Sequence, residues 1–523
     1  MKQLPWWRSS VFYQVYLPSF ADGNEDGTGD FAGLIERLDH IASLGVKGIW
    51  VTPFYPSPLV DNGYDISNYC DVDPRFGDLD LFRKFVDACH ERGIKVIIDL
   101  VVNHVSKQHP WFQDALNNVD SPYRDYFIFS KNPNNWQSFF SGSAWEKEEH
   151  TDYFYYHKFS SEQIDLNWAN PQVEKEILSV IDFWIDYGVD GFRFDVINFL
   201  TTDGIGLDNP FKEDQQEHKH DINQPGVLDA VSRIAQHIRA KGDYFLVGEV
   251  GSEDLSLLTQ YQSAQHLDVV FNFNLGSQEK FDLEKIYSEM KKMNSDMSGV
   301  PTLFFSSHDM PRMISRFGES QRDIKRAAAV CALQFTALGV PFIYNGEEIG
   351  MTDFIPESLQ EISDIQGKNA YKTAKDKAHS DEQALLTAIK ETRDNSRSPM
   401  QWNSSQNAGF SSALPWMKIN KNYRDVNVEK QLSDSSSILA AYKKLILIRN
   451  SEPVLWQGEY EFFEKNGEII HFQRSLNNQY IEVLINFGEA AVNPTFADSG
   501  HTLFGTDQQY IEKNEILIKK GSK

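Results

Sequence analysis

Short apolar runs alternate with amphipathic segments over most of the chain. Runs that are apolar on both faces are typical of parallel strands buried between helices. Eight such runs predict strands at 11–16, 46–52, 96–102, 191–196, 245–250, 269–273, 302–305 and 340–344. Helical periodicity lies between most of them, as at 79–92, 173–187, 225–241 and 321–338. Eight strands alternating with helices predict an α/β fold, namely a (β/α)8 TIM barrel.

Two parts of the chain depart from this alternation. The interval after the third predicted strand is too long for one helix and is rich in Asn, Ser and aromatic residues, which predicts an inserted subdomain over 105–167. Short alternating runs at 459–463, 469–474 and 480–486 predict a C-terminal antiparallel β-domain over 451–523. The barrel would then comprise 1–104 and 168–450. An insertion after the eighth strand, at 353–395, is predicted to contain a helix around 370–392 and to cover the mouth of the barrel.

Ionisable residues follow four of the predicted strands. The segment GFRFDV at 191–196 places Arg193 and Asp195 on the same face of a strand. Their pairing would hold Asp195 ionised and fix its direction, although a purely structural strand end could show the same pair. Three other runs end in His104, in Glu249 and in the pair His308-Asp309. Because the carboxyl ends of barrel strands meet at one mouth, these endings together predict a shared catalytic edge.

An ordered set of motifs gives the chain a family resemblance. The motifs are WWRSSVFYQVYLPSF at 6–20, DGNEDGTGD at 22–30, DNGYDISNY at 61–69, DLVVNH at 99–104, GFRFDVIN at 191–198, HDMPR at 308–312, GEEIGM at 346–351 and RDNSRSPMQW at 393–402. Each motif alone is weak, but their order and spacing hold from about residue 5 to about residue 450. The chain resembles glycoside hydrolases of the α-amylase superfamily (family 13), in the group of oligo-1,6-glucosidases, dextran glucosidases and trehalose-6-phosphate hydrolases.

The resemblance implies roles for individual residues. It makes Asp195 the nucleophile, Glu249 the general acid/base and Asp309 a third carboxylate that grips sugar hydroxyls. Further positions that match the substrate-binding set are Asp61, Tyr64, His104, Arg193, Val196, His308 and Arg393. A retaining glycosidase needs one ionised and one protonated carboxyl group about 5–5.5 Å apart. Burial near other carboxylates is expected to raise the pKa of Glu249 so that it holds its proton.

Val196 bears on the bond that is cleaved. Valine after the nucleophile resembles enzymes that act on α-1,6 bonds, whereas relatives that act on α-1,4 bonds usually have threonine or a small residue there. Val196 is also consistent with simple packing in a barrel strand. The expected activity is therefore hydrolysis of terminal α-1,6-glucosidic bonds in isomalto-oligosaccharides or short dextrins, with an α-1,4-preferring α-glucosidase as an alternative.

Trehalose-6-phosphate hydrolase is the second alternative, because it shares nearly all of these motifs. A phosphate site would need extra cations near the pocket. The loop after the fourth strand offers Lys212, His218, Lys219 and His220, but among acidic residues. Sucrose isomerases of the same group have an Arg-rich loop where this chain reads SRFGESQ at 315–321, which disfavours isomerase activity.

Departures from the family pattern concern the leaving group more than catalysis. Ser306 and Ser307 replace asparagines before the His308-Asp309 pair, and Met310 replaces a usual glutamine. The three carboxylates are unaffected.

The loop at 22–30 has oxygen-bearing residues at alternating positions around glycines. This pattern resembles the first part of a calcium-binding loop, although an Asp/Asn/Gly turn without an ion would look similar. The predicted structural Ca²⁺ ligands are Asp22, Asn24, Asp26, Asp30 and the backbone carbonyl of Thr28. No organic cofactor is expected.

Composition restricts the partners and the compartment. The formal net charge of −25 disfavours nucleic-acid and anionic-membrane partners. The three cysteines have no metal-ligand spacing and suit a reducing compartment. The N-terminus lacks the apolar core of a signal peptide, and no run is long enough for a membrane span. These features predict a cytoplasmic enzyme, a monomer or weak homo-oligomer, whose partner is a small oligosaccharide substrate.

Overall fold

The computed structural model describes residues 4–213, 215–318, 323–494, 500–506 and 509–523. An 8-stranded parallel sheet lies at its centre. In chain order the barrel strands are Phe12–Val15, Gly48–Val51, Lys95–Leu100, Gly191–Phe194, Phe245–Glu249, Val269–Phe271, Thr302–Leu303 and Val340–Tyr344. Numbered in that order, they neighbour one another as 6-5-4-3-2-1-8-7. The predicted TIM barrel is confirmed, and its strands are mostly shorter than the apolar runs.

Side chains complete the barrel where strands 6 and 7 meet. The Thr302 hydroxyl donates to the carbonyl of Val270 at 2.9 Å and accepts from the backbone N–H of Asn272 at 3.1 Å. Inside the barrel, the rings of Phe12, Phe245 and Phe342 stack at centroid distances of 4.6 and 4.8 Å. The interior is therefore a packed core, as it is in other barrels of this kind, and the site lies above it.

Helices surround the sheet and cover its outer face. The α-helices are Phe31–Glu36, Leu38–Leu44, Leu79–Glu91, Pro110–Asn117, Pro171–Asp186, Val227–Arg239, Leu255–Tyr261, Phe273–Gly276, Leu283–Asp296, Met313–Phe317, Ile324–Thr336, Ile365–Asp376, Asp381–Glu391, Val428–Leu432, Ile438–Ser451 and Val454–Gln457. Of the helix predicted at 321–338, positions 321 and 322 lie outside the described residues. Side-chain caps begin several helices: Asp78 accepts from Leu81 N–H and Asn170 from Gln172 N–H. None of the helices in the described ranges is long and apolar enough to cross a membrane.

The interval after barrel strand 3 forms small sheets and a helix. Strand His104–Ser106 pairs antiparallel with Gln163–Asp165. A three-stranded antiparallel sheet contains Phe129–Ser130, Phe154–Tyr156 and Trp145–Lys147. The sequence-based assignment of His104 to the end of a barrel strand is wrong, because barrel strand 3 ends at Leu100 and His104 begins a strand of the insertion.

The insertion after barrel strand 8 differs from its prediction. Instead of one helix around 370–392, the structure has the helices Ile365–Asp376 and Asp381–Glu391. Ala378 between them has φ +61°, and Ser380 starts the second helix with a capping box to Gln383. The Asn369 side chain donates to the carbonyl of Phe140 at 3.2 Å, which joins this insertion to the one after strand 3.

The C-terminal part of the chain is a five-stranded antiparallel sheet. Its strands are Glu459–Asn466, Ile469–Leu476, Gln479–Asn486, His501–Phe504 and Glu515–Ser522. The predicted C-terminal β-structure is confirmed, with two strands that the alternation did not reveal.

Candidate active site

Arg193 is the centre of a carboxylate cluster at the carboxyl ends of barrel strands 3, 4 and 5. Its Nη1 donates to Asp99 Oδ1 at 2.8 Å and to Asp195 Oδ1 at 2.6 Å, and its Nη2 pairs with Glu249 Oε2. Strand register causes this convergence, because Arg193 lies directly beside Asp99 on one side and Val247 on the other. The Arg193 side chain is only 2% exposed, so a single buried cation serves three acids.

The backbone turns sharply at the predicted nucleophile. Barrel strand 4 ends at Phe194, and the Asp195 N–H still donates to the carbonyl of Leu100 at 3.2 Å. Val196 then adopts φ +36° and ψ +44°, a left-handed conformation that is strained for a β-branched residue. The sequence-based assignment of Val196 to the strand is therefore wrong. The turn leaves Val196 half-buried at the mouth beside Asp195.

Asp309 is held by three cationic or polar neighbours. Its Oδ1 lies 2.9 Å from Arg397 Nη2 and 3.5 Å from Arg393 Nη1, and its Oδ2 lies 3.0 Å from His308 Nε2. The Gln14 side chain donates to His308 Nδ1 at 2.6 Å, which leaves the ring hydrogen on Nε2, where Asp309 Oδ2 and the Tyr64 hydroxyl both lie within hydrogen-bond distance. Asp309 is still 31% exposed, so it keeps a face for a ligand.

The remaining predicted binding residues lie in the same cluster. Arg393 Nη2 contacts Asp61 Oδ1 at 2.6 Å, and Gln163 Nε2 lies 3.0 Å from Asp61 Oδ2 and 3.1 Å from His104 Nε2. The Tyr64 hydroxyl donates to Asp99 Oδ2 at 2.9 Å and lies 2.6 Å from His308 Nε2. The structure thus brings together every predicted catalytic and substrate-binding residue: Asp195, Glu249, Asp309, Asp61, Tyr64, His104, Arg193, Val196, His308 and Arg393.

Burial and charge divide the carboxyl groups into different protonation states. Burial raises the pKa of Glu249 to about 8, with Arg193 opposing it and Asp195 adding to it. Burial also raises the pKa of Asp195 to about 7 against the effect of Arg193. Burial would raise the pKa of Asp309 too, but His308, Arg393 and Arg397 outweigh it and hold that pKa well below the usual range.

These values correct one expectation and bear out another. Arg193 was expected to keep Asp195 ionised, yet the arginine is shared among three acids and does not cancel the cost of burial. The raised pKa of Glu249 agrees with its prediction. Of the two raised pKa values the lower belongs to Asp195, which is the order that a nucleophile and a general acid require.

Sequence reasoning missed several members of the cluster. Asp99 and Arg397 stand inside the quoted motifs at 99–104 and 393–402, so a signal was present but no role was assigned. Asp364 Oδ1 accepts from Arg393 Nε at 3.0 Å and from Arg393 Nη2 at 2.5 Å. No local pattern in the sequence marks Asp364 as a site residue. Gln14 and Gln163 also escaped notice, because their contacts depend on long-range folding.

The side-chain oxygens of the loop at 22–30 accept hydrogen bonds from nearby backbone N–H groups. Asp22 accepts from the N–H groups of Glu25 and Gly27 at 2.7 and 2.8 Å, and Asp30 accepts from Asn24 and Gly33 at 2.9 and 2.7 Å. Asn24 and Asp26 likewise accept from Asp26 and Thr28 N–H. Within the described residues no group of three or more Asp, Glu, His or Cys side chains is arranged to hold a metal. Calcium binding here stays a prediction that depends on amide and carbonyl ligands as well as carboxylates.

Basic side chains in the loop after barrel strand 4 mostly lie against acids. His218 Nδ1 lies 3.0 Å from Asp221 Oδ2. The buried ammonium of Lys158, which belongs to the insertion after barrel strand 3, contacts the same carboxylate oxygen. Lys219 Nζ lies 2.8 Å from Glu217 Oε2. Lys212 is exposed. Lys212, His218 and Lys219 therefore do not converge on a shared anion pocket in the described part of this loop.

Comparison with known proteins agrees with this geometry. The alpha-amylase catalytic-domain model matches residues 14–458. Oligo-1,6-glucosidase of Parageobacillus thermoglucosidasius is 37% identical, over 98% of this chain and 95% of that protein. Trehalose-6-phosphate hydrolase of Escherichia coli (strain K12) is 37% identical, over 93% of this chain and 92% of that protein.

Solved structures resemble the whole chain. The isomaltulose synthase of Klebsiella sp. LX3 superposes with a TM-score of 0.93 at 32% identity, covering 99% of this chain and 100% of that one. With the catalytic-domain match and these near full-length relatives, the chain belongs to the alpha-amylase family. It is a glycoside hydrolase of family 13.

Proposed function

We propose that this chain is a retaining α-glucosidase that hydrolyses terminal α-1,6-glucosidic bonds of isomalto-oligosaccharides or short dextrins. The observation that carries the proposal is the contact of Asp195 and Glu249 with one guanidinium, through different nitrogens of Arg193. Such sharing suits the short separation, about 5–5.5 Å, that retaining glycosidases need between their two carboxyl groups. The higher pKa of Glu249 than of Asp195 supports the assignment of acid and nucleophile.

The chemistry then proceeds in two displacements. Asp195 attacks the anomeric carbon and forms an ester bond to it, while the bond to the leaving oxygen breaks and Glu249 gives its proton to that oxygen. Glu249, now ionised, takes a proton from water as the water attacks the same carbon. The ester bond to Asp195 breaks, and glucose leaves with its original α configuration.

Asp309 is proposed to hold hydroxyls of the glucosyl unit in the cleavage subsite. Its low pKa keeps it ionised throughout, and Arg393, Arg397 and His308 fix its direction. Charge-assisted hydrogen bonds that tighten as the sugar ring flattens would favour the transition state over the ground state. Asp61 and His104 line the same subsite through their contacts with Arg393 and Gln163.

Linkage and leaving group are proposed from the relatives and from the residues around the mouth. The oligo-1,6-glucosidase relatives and the apolar side chain of Val196 at the mouth support α-1,6 cleavage over an α-1,4 preference. The trehalose-6-phosphate hydrolases among the relatives favour the rival substrate. Against it, Lys158 pairs with Asp221 and Lys219 pairs with Glu217, and the His218 ring contacts the same Asp221. A neutral leaving sugar therefore fits this loop better than a phosphorylated one.

The setting of the enzyme is part of the same proposal. A cytoplasmic enzyme that meets only small oligosaccharides, with no nucleic-acid or membrane partner, suits the net charge of −25. We also propose that it is a monomer or weak homo-oligomer.

A side-by-side assay tests the substrate. Purified protein is given isomaltose, panose, maltose, sucrose, dextran and trehalose 6-phosphate, and kcat/KM is measured for each. Isomaltose and panose should give the highest values, and NMR should detect α-glucose as the first product. Faster cleavage of trehalose 6-phosphate than of any neutral α-1,6 glucoside would establish the rival, and β-glucose as first product would exclude retention.

A further inference from the structure

An exposed phenylalanine stands beside the site and has no part in the mechanism above. Phe139, from the insertion after barrel strand 3, is 45% exposed although other rings surround it. Its ring centroid lies 4.7 Å from that of His218, 5.1 Å from that of Phe199 and 5.9 Å from that of Phe159. Leaving part of an aromatic ring in water costs free energy, since burying such a ring is favourable.

Phe199 connects Phe139 to the acid/base side of the site. The Phe199 N–H donates to the carbonyl of Val196 at 2.9 Å, so Phe199 follows directly on the turn that carries the nucleophile. A Cβ placed on Gly251, two residues after Glu249, would lie 3.7 Å from the Phe199 ring. Phe199 therefore lies between the loop of Asp195 and the loop of Glu249. In the proposed reaction Glu249 protonates the leaving oxygen, so its side of the site is the side of the leaving sugar. Phe139 contacts Phe199 and therefore lies on that same side.

Phe159 connects Phe139 to the cleavage subsite. The Phe159 ring lies 5.3 Å from that of His104 and 5.7 Å from that of Phe140. Arg393, which contacts Asp61 in the cleavage subsite, lies over the Phe140 ring at 5.6 Å. A row of three contacting rings therefore extends from that subsite to the surface: Phe140, Phe159 and the exposed Phe139.

Buried charges hold the outer ring in place. The Lys158 ammonium lies 4.7 Å from the Phe139 ring centroid and pairs with Asp221, and Lys158 and Asp221 are both fully buried. His218 contacts Asp221 at 3.0 Å while its ring stacks on Phe139. Phe139 thus packs against a fixed polar support, which limits the ordering cost when a ligand stacks on the ring.

From this arrangement we infer that the exposed part of the Phe139 ring is the platform on which the neutral sugar on the leaving side of the scissile bond packs. The inference rests on the proposed function and adds a binding subsite to it. The ligand class is the glucosyl residue of an isomalto-oligosaccharide, whose apolar C–H face packs on an aromatic ring. A phosphorylated sugar would gain little here, because the Lys158 ammonium beside the Phe139 ring is already paired with Asp221.

The test separates the leaving sugar from the rest of the reaction. α-Glucosyl fluoride occupies the cleavage subsite but has no leaving sugar. Phe139→Ala should lower kcat/KM for isomaltose and isomaltotriose by about 5- to 20-fold and leave kcat/KM for α-glucosyl fluoride within about twofold of wild type. Phe139→Tyr keeps the ring and should retain most of the activity on both substrates. Tyr510→Ala removes a ring of similar exposure, 48%, from the C-terminal sheet region and serves as the matched control.

The outcomes distinguish the two proposals. If wild type cleaves isomaltose but Phe139→Ala lowers the two kinds of substrate equally, or neither, the platform is refuted while the proposed function stands. If wild type does not cleave isomaltose or isomaltotriose, the proposed function itself fails. Melting temperatures of all variants show whether a loss comes from misfolding.

Discussion

The pH dependence of kcat/KM follows from the two raised pKa values. The reactive state has Asp195 ionised and Glu249 protonated. Below a pKa of about 7 Asp195 takes up a proton and the nucleophile is lost, whereas above a pKa of about 8 Glu249 gives up its proton and the general acid is lost. The profile should therefore be bell-shaped with its maximum near pH 7.5, and its two apparent pKa values belong to the interacting pair.

The size of the effect follows from the same values. With pKa values of about 7 and about 8, about 60% of the enzyme is in the reactive state at pH 7.5. At pH 5.5 or pH 9.5 that fraction falls to about 3%. The expected loss of kcat/KM is therefore about 20-fold over two pH units on either side of the maximum.

Replacing the acid should remove one limb of the profile. Glu249→Gln cannot ionise, so its single-turnover rate of glucosyl transfer from α-glucosyl fluoride should fall on the acid side only. Wild type and Glu249→Gln are compared from pH 5 to pH 10 in buffers of constant ionic strength. A wild-type profile that is flat between pH 5.5 and pH 9.5, or an alkaline limb that survives in Glu249→Gln, would refute the assignment.

Three further predictions concern bond choice, the arginine cluster and the metal. Val196→Thr keeps β-branching in the strained turn and adds a hydroxyl, so the α-1,4 to α-1,6 ratio of kcat/KM should rise about 5- to 30-fold, and an unchanged ratio would contradict this. Asp364→Asn should lower kcat/KM at least about tenfold because Arg393 loses a charged partner, whereas Asp394→Asn, at a buried carboxylate that accepts from the backbone N–H groups of Ser363 and Asp364, should cost much less. If the 22–30 loop binds Ca²⁺, a chelator should lower the melting temperature and added Ca²⁺ should restore it, and metal analysis that finds no divalent ion would reject the site.

The barrel could be predicted because its strands are buried on both faces. The apolar run at 340–344, for example, has the same bounds as the observed strand Val340–Tyr344. The ends of the strands could not be predicted, because hydrophobicity continues after the backbone leaves the sheet. Val196 is apolar and β-branched, yet it occupies a left-handed turn. Likewise, helical periodicity around 370–392 does not reveal the break at Ala378.

The site could be predicted where polar residues end a strand or stand in a family motif. Asp195, Glu249 and Asp309 were found in this way, and the structure brings them together. Asp364 could not be found, because its contact with Arg393 joins residues that are adjacent only after the insertion has folded. The raised pKa of Asp195 could not be predicted either, because the sequence does not reveal that Arg193 also contacts Asp99 and Glu249.

Trapping of the glucosyl-enzyme tests the central claim most directly. A fluorinated glucosyl donor that forms the intermediate quickly and releases it slowly is incubated with the enzyme, which is then digested and mapped by mass spectrometry. The account predicts one added fluoroglucosyl group, in an ester bond to Asp195, and no label and no turnover in a folded Asp195→Asn variant. A label on another residue, or an Asp195→Asn variant that still turns over, would contradict it.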